Sequence, residues 1–330
     1  MTAPAPRPSA DAETIGVDLG GTKMLVGVVD AAGRTVHRRV AASAGLSAEE
    51  VLQLLETELE IALDTRPGVA AVGLGVPCTI DSARGICVSA VNLPLIDVPV
   101  RDRISERIGL PVSIDNDGNV AAIAENRIGA ARGAREVVLL TIGTGIGGGL
   151  ILGGEPYRGA RGAGAELGHV VVDIDGPPCQ GNCPNHGCIE SIASGTALRL
   201  EAERAAAAAP DSGLARAAAN GAAIDGRLVT ELAQSGEAVA TAVLETIGRR
   251  LGVALSGLAN IFDPEVIVVG GGVIAAGELL LEPAREEFRS RALPPQNETP
   301  IRAAALGPDA GMVGAAILAA DELAAGVAVA

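Results

Sequence analysis

The stretch DLGGTK, residues 18–23, lies between two short apolar segments and decides how the N-terminal part of the chain folds. Residues 15–19 and 24–29 are rich in valine, leucine and isoleucine, as is typical of buried strands. Two consecutive glycines between such segments predict a tight turn, so the chain doubles back as a hairpin. A third strand is expected over residues 34–42.

The turn of this hairpin has the chemistry of a phosphate-binding loop. Glycines let backbone N–H groups approach an anion, Thr22 adds a hydroxyl donor, and Asp18 can hold Mg²⁺ through water. An ordinary hairpin turn is the alternative interpretation. The candidate contacts to ATP phosphates are Asp18, Gly20, Gly21, Thr22 and Lys23.

The same pattern begins again at residue 137, with a strand over 137–142, a glycine turn over 143–149 and a return strand over 150–152. The turn satisfies G-x-G-x-x-G, but a strand follows it, whereas a dinucleotide-binding turn opens a helix. We therefore expect a second phosphate-binding hairpin with Gly143, Thr144 and Gly145 as contacts. A later strand ends in three glycines at 270–272 and adds Gly271 as a nucleotide contact.

Two halves that both open with strand, glycine turn and strand indicate a duplicated α/β domain, with a mixed sheet and flanking helices in each half and a cleft between them. Residues 1–14, rich in proline and alanine, are expected to form a disordered tail. A smaller domain is predicted over 15–116, with a last helix near 311–323 packing back on it. Residues 117–310 form the larger domain in this prediction.

Composition excludes several classes of function. The 330 residues carry a net charge of −15, and aromatic residues make up 1%. Nucleic-acid binding needs a basic surface, and base stacking needs aromatic rings. No secretory signal opens the chain, and the uncharged run 137–154 is too rich in glycine for a membrane span. Five cysteines, three of them within ten residues, indicate a reduced cytoplasm rather than a disulfide framework.

Asp117 is the candidate catalytic residue. The sequence Asn116-Asp117 follows a predicted strand at 111–114 and opens a predicted helix at 118–128. Helix capping alone could account for both residue types. Phosphoryl transfer needs one positioned base, and a carboxylate at this corner could accept a hydroxyl proton. Asp115 is expected to point to the opposite side of the strand.

A cluster of cysteines and histidines predicts a structural zinc site. Three cysteines with one histidine are a favoured zinc-binding set. Cys179, Cys183 and Cys188 are the candidate thiolates, and the spacing leaves either His169 or His186 as the fourth ligand. The other cysteines, at positions 78 and 87, are expected to stand alone in the core or in loops.

These motifs, in this order, resemble the ROK family of repressors, open reading frames and sugar kinases, over residues 15–323. The chain is most similar to bacterial members that phosphorylate glucose. The resemblance implies an actin-like, ribonuclease-H-like duplicated fold, ATP with Mg²⁺ as the phosphoryl donor, and transfer to the 6-hydroxyl of a hexose, with glucose first. It also implies a homodimer or homotetramer.

The resemblance further assigns the sugar site. By this resemblance Asp117 of this chain would be the base, and His169 rather than His186 would complete the zinc site. A Cys-x-Glu sequence, residues 188–190, supplies one further sugar contact. Glu166 by itself would be more typical of a solvated residue in a turn. The implied sugar contacts are Asn116, Asp117, Glu166, His169 and Glu190.

Three alternatives stay open at this point. Another hexose, such as N-acetylmannosamine, N-acetylglucosamine, fructose or allose, could be the substrate, and polyphosphate could be the donor. A sugar-responsive regulator of the same family is the third. Regulators carry a DNA-binding domain before the DLGGT motif, and 14 residues before residue 15 are too few for one.

Overall fold

The computed structural model describes residues 12–90 and 93–326. The strands in the described residues are β1 Thr14–Leu19, β2 Lys23–Val29, β3 Thr35–Ala42, β4 Ala71–Val76, β5 Cys78–Asp81, β6 Ile86–Ala90, β7 Ile96–Val98, β8 Val112–Asn116, β9 Val137–Ile142, β10 Ile146–Leu152, β11 Glu155–Pro156, β12 Val266–Gly270 and β13 Ile301–Ala303. The α-helices are α1 Ala48–Thr65, α2 Val100–Ile108, α3 Asp117–Arg127, α4 Ile189–Ala193, α5 Gly195–Ala208, α6 Gly213–Ala219, α7 Gly226–Gln234, α8 Ala238–Phe262, α9 Glu278–Arg291 and α10 Ala310–Ala324.

Two five-stranded sheets repeat one topology. The first has the order β3-β2-β1-β4-β8 and the second the order β11-β10-β9-β12-β13. Each contains an antiparallel glycine hairpin, β1–β2 or β9–β10, whose first strand pairs in parallel with the next strand of its sheet. The predicted duplicated, actin-like α/β fold is therefore confirmed. A small third sheet, β5-β6-β7, was not predicted.

The chain divides into two compact units. The first unit takes in the described residues up to Gly129, the segment Pro156–Ala165 and the residues from Pro308 onward; the second holds Ala130–Glu155 and Glu166–Gly307. The boundary predicted after residue 116 differs from this division, because α3 lies in the first unit. The reason is packing: α10 crosses α3 so closely that a Cβ on Gly314 would overlap the Val120 carbonyl oxygen.

Helix α10 also lies directly on the first sheet. A Cβ on Gly16 of β1 would overlap the Met312 carbonyl oxygen, and one on Gly73 of β4 would overlap that of Ala315. The absence of side chains at these positions lets the helix backbone approach the strands. The C-terminal helix therefore completes the layer over the strands that lead to the candidate site.

Replacing Gly73 with alanine is expected to destabilise the first unit by about 1–3 kcal/mol or more, because the new methyl group must displace α10 backbone. Gly68→Ala is the matched control, since no atom lies within 4 Å of a Cβ at that position. Denaturant unfolding of the two variants measures the difference. Equal stabilities would show that α10 does not pack against β4 in this way.

Among the local predictions, the start of α1 is confirmed and the bounds of two segments need correction. The capping box of Ser47 and Glu50 forms at the start of α1. The predicted glycine turn 143–149 is shorter, because β10 begins at Ile146 and pairs with β9 from its first residue. The predicted tail 1–14 lies mostly outside the described residues, but Thr14 already belongs to β1 and is buried.

The prediction that Cys78 and Cys87 stand alone is wrong. Cys78 lies on β5 and Cys87 on the neighbouring strand β6, with their Cα atoms 6.0 Å apart and their sulfur atoms joined as a disulfide. Both side chains are buried. Antiparallel pairing of β5 with β6 brings the two residues together, and neither strand had been expected. Among the described helices, none has both the length and the apolar character needed to cross a membrane.

Candidate active site

Three parallel strands of the first unit end at one edge of its sheet, and the candidate catalytic residues lie there. Asp18 near the end of β1 pairs in register with Gly75 of β4, which in turn pairs with Asp115 of β8. Asn116 and Asp117 follow at the junction of β8 and α3. The carboxyl edge of a parallel sheet is where ligands bind in α/β folds.

The corner between β8 and α3 fixes the Asp117 backbone. The Asn116 side-chain oxygen accepts hydrogen bonds from the Gly118 amide (2.8 Å) and the Asn119 amide (3.4 Å), so Asn116 caps the helix as the residue type predicts. The Gly118 amide also donates to Asp117 Oδ1 at 2.9 Å. Asp117 thus sits at the first position of a capped helix.

Burial raises the pKa of the Asp117 carboxyl, although hydrogen bonds from the Gly118 and Asp117 amides and from Asn116 oppose the shift. A raised pKa brings a carboxylate closer to the neutral pH at which a general base works well. The same residue therefore satisfies both requirements of a proton acceptor, a fixed position and increased basicity.

Asp18 is a second carboxyl group with a perturbed pKa. Its pKa is raised to about 6: burial is the largest cause, the negative charges of Asp117 and Asp309 add to it, and Lys23 opposes it. Helix α10 lies against this carboxyl group, since a Cβ on Gly311 would overlap it. A cation placed here would stabilise the ionised form of Asp18.

The turn of the first hairpin presents backbone groups to solvent. The Gly20 amide donates to the Lys23 carbonyl at 2.9 Å and closes the turn. Ser43, on the chain that follows β3, donates to the Gly20 carbonyl at 2.6 Å and supports the turn from one side. Thr22 and Lys23 are exposed at its tip. Of the predicted phosphate contacts, Thr22 and Lys23 are therefore exposed on the first unit, whereas the Gly20 amide is used within the turn.

The turn of the second hairpin is held by the starts of α4 and α5. The Gly195 amide donates to the Gly143 carbonyl at 2.8 Å, and the Thr196 hydroxyl donates to the Thr144 carbonyl at 2.9 Å. Glu190 Oε2 accepts the Ile146 amide at 2.8 Å and leaves no room for a side chain at Gly145. These bonds fix the shape of the turn, and the backbone amides of a glycine turn held in this way can bind phosphate oxygens.

A cavity of about 500 Å³ opens beside this turn within the second unit. Its volume is typical of a small-molecule site. Sequence analysis predicted Gly143 and Thr144 there, and Gly271, with φ of +88°, directs the chain towards it from β12. Polar residues of α5 and α7, and the residue that caps α7, also line the cavity, and they carry no motif by which the sequence could have indicated them. They are Thr196, Arg199, Asp225, Arg227, Thr230 and Glu231.

The cysteine cluster forms as predicted, and the structure selects between the two histidines. His169, Cys179, Cys183 and Cys188 each offer one ligand atom, and these four atoms lie within 4.8 Å of one another. His186 does not belong to this group of the described residues, although it lies between two of the cysteines in sequence. Its backbone forms a bridge to Pro178 instead.

Two distances within the cluster are close to those of a tetrahedral zinc site. Zinc bonds of about 2.3 Å to sulfur and about 2.0–2.1 Å to nitrogen place neighbouring ligand atoms about 3.5–3.8 Å apart. Cys179 Sγ lies 3.5 Å from His169 Nδ1, and Cys183 Sγ lies 4.0 Å from Cys188 Sγ. Burial, with a contribution from neighbouring thiols, raises the pKa of Cys179 and of Cys188. A bound cation reverses this tendency and stabilises thiolates.

The predicted sugar contacts fall into two groups. Asn116 and Asp117 belong to the first unit, whereas Glu166, His169 and Glu190 belong to the second. Within the second unit Glu166 precedes a 3₁₀ turn that ends at His169, and the His169 amide donates to the Glu166 carbonyl at 3.1 Å. Glu190 Oε1 lies 3.7 Å from Cys179 Sγ, so Glu190 connects the cysteine cluster with the second hairpin.

Comparison with known proteins agrees with this architecture. The sequence profile of the ROK family matches residues 14–322. The glucokinase of Streptomyces coelicolor is 37% identical to this chain, and the alignment covers 93% of this chain and 97% of the glucokinase. A ROK family glucokinase from Streptomyces griseus, solved in complex with glucose and AMPPNP, is 38% identical, with a TM-score of 0.84 over 94% of this chain and 100% of that one.

The two repeated sheets place the protein in the actin-like fold class. Each sheet carries a glycine hairpin whose turn is a candidate phosphate-binding loop. The chain belongs to the ROK family. Regulators are also among its relatives: a putative xylose repressor of Caldicellulosiruptor is 31% identical over 84% of this chain and 70% of its own length.

Proposed function

We propose that this protein is an ATP-dependent sugar kinase that transfers the γ-phosphoryl group of ATP to the 6-hydroxyl of a hexose, with glucose as the preferred substrate. The observation that carries the proposal is the β8–α3 corner, which holds the Asp117 carboxyl at a capped helix start, where burial raises the pKa of that carboxyl. Similarity to glucokinases over more than nine-tenths of the chain supports the choice of sugar.

In the proposed reaction, Asp117 accepts the proton of the 6-hydroxyl as that oxygen attacks the γ-phosphorus. The bond from phosphorus to the bridging oxygen of ADP breaks, so the products are a hexose 6-phosphate and ADP. Phosphoryl transfer asks little covalent chemistry of the protein, and the main task of the residues is to position the reactants.

The nucleotide is proposed to bind through the two glycine turns. In the first unit Gly21 and Thr22 would offer an amide and a hydroxyl to the phosphates, and in the second unit Thr144 and Gly145 would do the same. The amides of Gly20 and Gly143 bond within their own turns, so these two glycines would contribute the close backbone approach that a missing side chain allows. The cavity beside the second turn has room and polar groups for the nucleoside. Asp18 would hold Mg²⁺ through water, and that ion would neutralise charge on the phosphates.

The proposed sugar contacts are side chains that select hydroxyl groups. Asn116, Glu166, His169 and Glu190 offer amide, carboxylate and imidazole partners, and a sugar with the wrong hydroxyl pattern leaves one of these unpaired. Glu190 already accepts the Ile146 amide with Oε2, so Oε1 is the oxygen proposed to meet the sugar.

We propose that His169, Cys179, Cys183 and Cys188 hold a zinc ion. When bound, the ion would cross-link the loop and fix the imidazole ring of His169 through Nδ1. The other ring nitrogen, Nε2, would then be free to contact a sugar hydroxyl. Orientation of a histidine by its second nitrogen is a general property of metal sites.

Coupled measurement of ADP release with ATP, Mg²⁺ and a panel of hexoses tests the proposed function. We expect kcat/KM to be highest for glucose, with N-acetylmannosamine, N-acetylglucosamine, fructose and allose at least tenfold lower. A parallel series with polyphosphate in place of ATP tests the donor. Sugar binding without ADP release for any hexose would favour a sugar-responsive regulator instead, and higher kcat/KM for another hexose would reassign the substrate.

A further inference from the structure

Asp115 is a buried carboxylate that the proposed reaction does not use. Its side chain is 2% exposed, and three donors surround it. Oδ1 accepts hydrogen bonds from the Asn116 backbone amide and from the Asn119 side-chain amide, both at 2.8 Å. Oδ2 accepts a hydrogen bond from Nε of Arg158 at 2.6 Å, and the two side chains form an ion pair. Asp115 therefore ties the last residue of β8 to the first turn of α3 and to Arg158.

Arg158 comes from a segment far along the chain. Pro156–Ala165 belongs to the first unit, although the residues on both sides of it belong to the second. The same segment also packs against β5 at Gly162, where φ is +71°. A Cβ on Gly162 would overlap the Ile80 carbonyl oxygen. The segment ends at Ala165, directly before Glu166, the first of the sugar contacts proposed for the second unit.

We infer that Arg158 and Asp115 are positioning residues for the phosphoryl transfer proposed above, on which this inference rests. Asp115 holds the Asn116 backbone and the Asn119 side chain on either side of Asp117, so it fixes the direction of the general base. Arg158 neutralises the buried Asp115 and anchors the segment that leads to Glu166. Both residues would act through the corner and not as catalytic groups themselves.

The physical reason is the cost of a buried charge. A carboxylate taken out of water needs a partner charge and hydrogen bonds, and removing the partner leaves it uncompensated. Without Arg158, Asp115 would rotate toward water, and that change loosens its bonds to Asn116 and Asn119. A small displacement of Asp117 would follow, and misplacement by about 1 Å can slow a reaction by about a hundredfold.

Steady-state kinetics of Arg158→Ala, Arg158→Lys, Asp115→Asn and the double variant Asp115→Asn/Arg158→Ala test the inference. We expect Arg158→Ala to lower kcat by about ten- to a hundredfold, with a smaller change in KM for the sugar. Arg158→Lys should recover part of the loss, because a lysine keeps the charge but not the guanidinium geometry. The double variant should be no slower than the slower single variant, since both act on one interaction.

Arg39→Ala is the matched control for stability. Arg39 on β3 pairs with Glu58 of α1 at 2.6 Å, and the Glu58 side chain is 8% exposed, so this ion pair is also partly buried in the first unit. We expect Arg39→Ala to lower the melting temperature while kcat stays within twofold of wild type. An equal loss of kcat in Arg39→Ala and Arg158→Ala, or multiplied losses in the double variant, would overturn the positioning role.

Hydrogen exchange separates this inference from the proposed function. The Gly118 and Asn119 amides, which bond to Asn116, should exchange faster in Arg158→Ala and in Asp115→Asn than in wild type. Unchanged exchange at both amides would overturn the inference even if the wild-type protein is an active hexose kinase. If wild type phosphorylates no hexose, the proposed function fails, and with it the role in catalysis, whatever the exchange rates show about the corner.

Discussion

Asp117→Asn is expected to abolish most turnover while the protein still binds its sugar. Asparagine has nearly the same shape, but its amide cannot take the hydroxyl proton. Loss of a general base costs about 10²–10⁴-fold in rate, and we expect kcat to fall within that range. The dissociation constant for glucose, measured by titration calorimetry, should change less than fivefold. This separation of kcat from binding is typical of a group that acts in the transition state.

Stability gives an independent check on the same variant. Because burial raises the pKa of Asp117, its ionised form costs folding free energy at neutral pH, and a neutral asparagine avoids that cost. The melting temperature of Asp117→Asn should therefore equal or exceed that of wild type. Asp102→Asn on α2, where the side chain is 53% exposed, serves as a control that should leave kcat unchanged. Retained turnover in Asp117→Asn would place the base elsewhere.

Loss of the proposed zinc site is the second change with a large expected effect. Cys183→Ser should lower the metal content, measured by mass spectrometry on purified protein, from one zinc per chain to below about a tenth, because three remaining ligands hold the ion poorly. Affinity for glucose should fall at least tenfold in calorimetry, because the loop that carries His169 and Glu190 loses its cross-link.

His186→Ala is the matched control for the metal site. This histidine lies in the same loop but outside the four-residue cluster, so the variant should keep one zinc per chain and normal glucose affinity. Chelator-treated wild type should behave like Cys183→Ser. A full zinc content in Cys183→Ser, or unchanged glucose affinity in protein verified to be free of metal, would contradict the proposed role of the cluster.

The features that sequence analysis predicted well depend on neighbours in the chain. The two glycine hairpins, the capping box at Ser47 and the Asn116 cap of α3 each follow from residues a few positions apart. Their geometry is decided by backbone sterics and by side chains that bond to nearby amides. The duplication was visible for the same reason, because each half carries its own local signal.

Features that depend on residues far apart in the chain were missed or left open. The spacing of the cysteines permits either His169 or His186, and only the resemblance favoured His169; its place in the cluster depends on how a 3₁₀ turn packs beside the cysteine loop. The pairing of Cys78 with Cys87 needs strands that carry no clear pattern. Residues of α5 and α7 that line the cavity have no motif, because their common position arises only from helix packing.

The amino-acid sequence by itself determined the duplicated α/β class, the turns proposed for phosphate and the corner that carries Asp117, because these are encoded in short segments with strong local preferences. Tertiary structure decided which unit holds α3, which histidine joins the cysteines and that Arg158 neutralises Asp115. Each of those outcomes depends on close packing between distant segments, and packing in a folded core is specified by the whole chain rather than by any one stretch of it.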